Sequence, residues 1–101
     1  MEKTIKIGNW NVQKSMIKEY MEYNTIASEY WCGRKQAPSG TVIERIYEGN
    51  KFCGKACALR REIAKQLGIT FDCLNSESEY NKFILAFEIK VELIEKGKEK
   101  L

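Results

Sequence analysis

Four cysteines and no histidine limit the chemistry available to this chain. Cys53 and Cys57 stand four residues apart and would share one face of a helix, a spacing that suits either metal ligation or core packing. A structural zinc site needs two such ligand pairs, and Cys32 and Cys73 are isolated. Buried, reduced thiols are therefore expected, and no metal or cofactor is assigned. A nucleophilic thiol needs an activator. Without histidine, the commonest general base, only Cys57 qualifies, beside Lys55 and near the start of an expected helix. The segment GNKFCGKA, residues 49–56, joins two glycines to two lysines. It lacks the GxxxxGK[ST] order that wraps amides and a lysine around a phosphate, so at most an anion rests on the following helix N-terminus. The chain is read as non-catalytic.

Two other groups of residues suit binding. Arg60, Arg61 and Lys65 place three cations on the outer face of an expected helix. Trp10, Tyr30 and Trp31, with the basic pair Arg34 and Lys35, combine the amphipathic aromatics and cations in which protein interfaces concentrate their energy. Stacked nucleic-acid bases use the same residue types.

The elements that must hold these residues follow from spacing. Ile5 and Ile7 alternate with Thr4 and Lys6 in a short strand ended by Gly8. Asn9 or Asn11 then offers a helix cap. Val12, Met16, Tyr20, Tyr23, Ala27 and Trp31 recur at spacings of three and four, predicting a helix to Trp31, with Thr25 and Ile26 as a point of weakness. Residues 32–40 (CGRKQAPSG) form a loop. Residues 41–47 (TVIERIY) are rich in β-branched and aromatic side chains, and Glu48, Gly49 and Asn50 carry a turn signal, so a hairpin over 41–53 is expected. A second helix runs over 56–67, with Ala56, Leu59, Ile63 and Leu67 inward and Gly68 as its stop. Ser76 and Glu79 match a capping box ahead of a C-terminal helix, although Phe87, Ile89, Val91 and Leu93 also alternate as in a strand. The breadth of that segment's apolar arc suits a dimer seam.

The fold class is thus α+β: one domain of 101 residues, with a small antiparallel sheet from the N-terminal strand and the 41–53 hairpin, packed by two or three helices. Composition agrees, with 44% hydrophobic and 31% charged residues. A net charge of +3, from 17 basic and 14 acidic side chains, permits attraction to polyanions without demanding it. The N-terminal residues lack the apolar run of a signal peptide, and no stretch reaches a membrane span, so a cytoplasmic protein with no membrane partner is expected.

Residues 60–75, RREIAKQLGITFDCLN, resemble the helix-turn-helix DNA-binding proteins of bacteria and phages. Ile63, Ala64 and Leu67 match the buried side of the first helix, Gly68 the turn, Ile69 the apolar residue after it, Thr70 the cap of the second helix and Leu74 its buried position. The resemblance implies that Thr70, Phe71, Asp72 and Asn75 face the major groove and that Arg60, Arg61 and Lys65 approach phosphates. The likeness departs from the family where Glu77 replaces a large apolar residue and where the reading helix carries no Arg or Lys. Two functional expectations result. One is a small nucleic-acid-binding regulator using Arg34, Lys35, Arg60, Arg61, Lys65, Thr70 and Asn75. The other is a protein-interaction module, or an inhibitor of the mobile-element type, binding through Trp10, Tyr30 and Trp31, with homodimerisation open.

Overall fold

A computed structural model describes residues 3–101. The expected N-terminal strand is β1 (Thr4–Ile7), and it folds back at once on β2 (Trp10–Gln13). Gly8, at φ 58, takes the first central position of the two-residue turn, a conformation open to glycine at little cost. Antiparallel register sets Ile5 against Val12 and Ile7 against Trp10, so one face of the ribbon is apolar. Asn9 and Asn11 therefore belong to the hairpin, and neither caps a helix. The first helix, α1 (Lys14–Trp31), starts after Gln13 and runs unbroken through Thr25 and Ile26, burying Ile17, Tyr20 and Ala27.

The hairpin expected over 41–53 does not form. Those residues open a single 25-residue helix, α2 (Val42–Gln66), which also absorbs the helix expected from residue 56. The deciding signal is local. Thr41 accepts a hydrogen bond from the Glu44 amide at 3.3 Å, and Thr41 with Glu44 makes a T-x-x-E capping sequence. Propensity is a weak prior beside a cap and a packed partner helix. Gly49, which resembles a turn residue, lies buried within α2 because α1 ends directly over it. A Cβ there would fall about 2.4 Å from the Trp31 indole. Gly49→Ala should displace that ring, with a net loss of about 1 kcal/mol once better helix propensity offsets overpacking. A red shift in tryptophan emission together with a lower urea midpoint would show it; an unchanged spectrum would not fit this packing.

The C-terminal segment resolves as helix α3 (Glu79–Glu95). Its cap is Ser78, whose Oγ accepts from the Asn81 amide at 3.1 Å, two residues beyond the expected Ser76. The α+β class thus stands, with a two-stranded antiparallel sheet and three helices, but the sheet is the 4–13 ribbon alone.

The core lies where the ribbon, the first half of α1, the second half of α2 and α3 converge. Ile7, Val12, Ile17, Ile63, Phe83 and Phe87 are its most deeply buried large side chains. Phe87 meets Tyr20 edge-on at 4.9 Å, and Phe83 meets Trp10 edge-on at 5.4 Å. Arg60 on α2 donates to Glu88 on α3 at 2.6 Å, pinning those helices at their rim. Helix α2 packs mainly on α1, and the molecule is elongated at 44 × 32 × 24 Å. Its radius of gyration is 15.1 Å, against about 13 Å for a compact chain of this length.

Candidate functional site

Gly68 at φ 77 ends α2 in the left-handed conformation that glycine adopts freely. The Ile69 amide donates to the Ala64 carbonyl and the Gly68 amide to that of Lys65, each at 3.0 Å, which together make a Schellman cap. Buried Ile69 completes the cap's apolar contact. The chain then leaves in an irregular, extended path, and no second helix forms over 70–75. This corrects the geometry implied by the helix-turn-helix resemblance. The reason is a lack of burial: Leu74, assigned an inward position, is 96% exposed. A helix of under two turns needs an apolar anchor to offset its nucleation cost. The segment's polar groups are instead committed to α3. Ser78 Oγ donates to the Asp72 carbonyl at 2.7 Å, and the Asn81 side-chain Nδ2 donates to the carbonyls of Asn75 at 2.7 Å and Cys73 at 3.3 Å.

The residues expected to contact nucleic acid are therefore dispersed. Arg60 is engaged by Glu88. Asn75 Oδ1 accepts from the Glu77 amide at 3.0 Å, fixing its side chain in a turn. Arg61 and Lys65 are exposed at the end of α2, with Thr70 nearby on the extended segment. Arg34 and Lys35 lie in the loop before α2, separated from Lys65 by nearly the whole helix, roughly 35 Å. The aromatics also divide. Trp10 is half-buried against Phe83, far from the α1–α2 loop. Tyr30 stacks on Phe52 at 5.9 Å with Lys35 above its ring. Trp31 alone of the three remains exposed, at 44%, with its indole nitrogen donating to Asn50 Oδ1 at 3.1 Å.

Around Trp31 the structure gathers residues that the sequence reading assigned to a strand. Val42, Ile43, Ile46 and Tyr47, on the first turns of α2, are 60%, 83%, 45% and 66% exposed. They form an apolar surface at the end of the molecule away from the core. The signal was present in the sequence: apolar residues at i, i+3 and i+4 directly after a T-x-x-E cap mark one helix face. At the opposite end of α2 lies a groove of about 540 Å³, lined by Ala58, Arg61, Lys65, Ile69, Phe71 and Tyr80 among others. Phe71 leans edge-on against Tyr80 at 4.8 Å, and the Arg61 guanidinium covers its ring at 5.6 Å. The groove is thus apolar within, with the charged side chains of Arg61, Glu62 and Lys65 along its lip.

The four cysteines are free thiols, Cys32 and Cys73 exposed and Cys53 and Cys57 partly buried. Cys57 lies deep within α2 and has no helix N-terminus to activate it. The residues 49–56 likewise lie inside α2, where backbone amides are taken by helical hydrogen bonds and do not face an anion. Burial, reinforced by neighbouring Cys57, pushes the Cys53 thiol up, opposite to nucleophile activation. Among the described residues no group of three His, Cys, Asp or Glu side chains is placed to hold a metal ion, and no helix is long and apolar enough to cross a membrane. With a thiol reagent at pH 8, exposed Cys32 and Cys73 should react first and Cys53 only slowly. Timed labelling with mass spectrometry gives the order, and a fast Cys53 would contradict its partial burial and raised pKa. No protein-family model, no curated protein and no solved structure matches this chain.

Proposed function

We propose that this chain is a non-catalytic protein-binding module that docks through the α1–α2 tip. The observation carrying this reading is that Val42, Ile43, Ile46 and Tyr47 on the first turns of α2, and Trp31 at the end of α1, are all exposed. Single exposed apolar residues are ordinary, whereas a contiguous patch of them marks an interaction site. Trp and Tyr supply large contact area with few rotamers to freeze, as binding hot spots require. Arg34 and Lys35 lie in the adjoining loop, Arg34 in a groove with Glu29 and Glu95 and Lys35 over the Tyr30 ring. Binding a partner and occluding it, as an inhibitor does, needs no group beyond these.

A nucleic-acid role draws support from the exposed Arg34, Lys35, Arg61 and Lys65. The two readings respond oppositely to salt. Phosphate contacts weaken steeply as salt rises, while an apolar patch does not. Immobilised protein should capture a partner from an extract of its source cells that stays bound in about 0.5 M salt, where charge contacts are screened. Ile43→Glu with Tyr47→Glu should reduce that capture at least about tenfold while leaving the thermal midpoint close to wild type, since both side chains face solvent. Capture that ignores these changes, or that disperses with salt and carries nucleic acid, would overturn the docking reading.

A further inference from the structure

One line of exposed residues runs the full length of α2. With about 3.6 residues per turn, Ile43, Tyr47, Gly54, Ala58, Arg61 and Lys65 fall within about 40° of a single line along the helix. All six are exposed. Gly54 is the midpoint of Val42–Gln66, so Ile43 and Lys65 stand equally far from it, as do Tyr47 and Arg61. The apolar tip thus occupies one end of this face and the apolar groove beside Arg61 the other.

We infer that α2 pairs antiparallel with α2 of a second copy across a two-fold axis at Gly54, each copy seating Ile43 and Tyr47 against the groove of the other. The inference rests on the docking reading and names the occupant of that surface.

Gly54 is the first support. Glycine weakens a helix interior relative to alanine, and here nothing lies within 4 Å of where a Cβ would stand. Gly49 is required by the Trp31 ring. Nothing within the described chain requires Gly54, whereas a second helix crossing there would need a small residue for its backbone to approach.

Complementarity is the second. Antiparallel pairing about position 54 sets Tyr47 across from Arg61 of the second copy, a cation over an aromatic face. Ile43 then meets the aliphatic stem of Lys65 and the groove walled by Phe71. Glu44, on the flank of the stripe, comes beside Lys65 of the second copy, and the helix dipoles oppose. Each contact occurs twice, as an isologous interface requires.

Area sets the strength. A helix strip about 37 Å long and ~10 Å wide covers roughly 400 Å² of each copy. Standard interfaces cover about 800 Å² per partner, and the two seated tips fill only part of that gap. An interface of this size is expected to give a weak dimer that dissociates on dilution.

Sedimentation equilibrium from about 5 to 500 µM should show the mass rising from 11.7 kDa towards twice that value. Gly54→Leu should weaken association at least tenfold while its circular dichroism stays helical and its thermal midpoint holds or rises, because the side chain enters open space. With Cys32 and Cys73 changed to Ser and Cys53 and Cys57 to Ala, Gly54→Cys should yield a disulfide-linked dimer on mild oxidation, since that position sits on the axis. Tyr47→Cys in the same background should not. A monomer at every concentration, association indifferent to Gly54→Leu, or cross-linking through position 47 in place of 54 would overturn the dimer. A chain that stays monomeric yet loses its captured partner on Ile43→Glu with Tyr47→Glu would overturn the dimer and leave the docking surface standing.

Discussion

Replacing Phe87 by alanine is expected to lower the unfolding free energy by about 3–5 kcal/mol, the range for deleting a buried aromatic ring. Phe87 is fully buried on α3, edge-on to Tyr20 of α1 and 5.7 Å from Phe83. Phe83 in turn supports Trp10 of β2. One ring therefore ties α1, α3 and the ribbon together, and its loss removes two aromatic contacts as well as the buried area. The neighbours cannot collapse into the space without moving whole elements, which keeps the cavity open. Domains of this size are stable by only about 5–15 kcal/mol, so the variant should be partly unfolded at 37 °C. Urea titration followed by circular dichroism measures the change. A loss under about 1 kcal/mol would mean that α3 does not pack on Tyr20 in solution. Leu85→Ala on the same helix serves as the control, because Leu85 is 60% exposed and its removal should change little.

The contrast between these two positions shows how far periodicity carries. Phe83, Phe87 and Val91 recur every four residues and all are buried, so α3 was legible even though the strand-like alternation from 87 to 93 competed with it. The same holds for β1 and for α1 as far as Trp31. The failure at 41–53 has a physical cause. Val42, Ile43, Ile46 and Tyr47 have the composition of a strand yet stand exposed on a helix, where strand propensity, which reflects packing on a half-buried sheet, says little about the backbone beneath them. Where local preference and packing disagree, function is a frequent reason. Of the candidate site, Trp31 was legible as an exposed aromatic. Ile43 and Tyr47 were hidden by the strand reading, and Arg60 was credited to a partner although Glu88 of α3 already holds it. That ion pair links residues 28 apart in sequence, and no local pattern announces it.

Gly68 carries the second large effect. At φ 77 a β-branched residue is a genuine outlier, and holding one there costs about 1–3 kcal/mol. Gly68→Val should therefore destabilise the protein by about 2–3 kcal/mol, close to the upper end because the Schellman bonds of Gly68 and Ile69 depend on that conformation. The damage should be local at first. Ile69 would leave its buried seat, Phe71 would lose its place against Tyr80, and the wall of the groove would loosen. Hydrogen exchange should thus rise over 66–75 before it rises in α1. The variant also separates the two views of this segment. If Arg61 and Lys65 bound nucleic acid beside this turn, straining it would weaken that binding and leave the α1–α2 tip untouched. A plain helix cap that shapes one wall of a docking groove would weaken self-association, while Ile43 and Tyr47 remain available to a smaller ligand. Ala at the same site is the graded partner, expected to cost about 1–2 kcal/mol, since it keeps the left-handed penalty without β-branching. Equal stability of Gly68, Ala and Val proteins would show that α2 does not end in this cap.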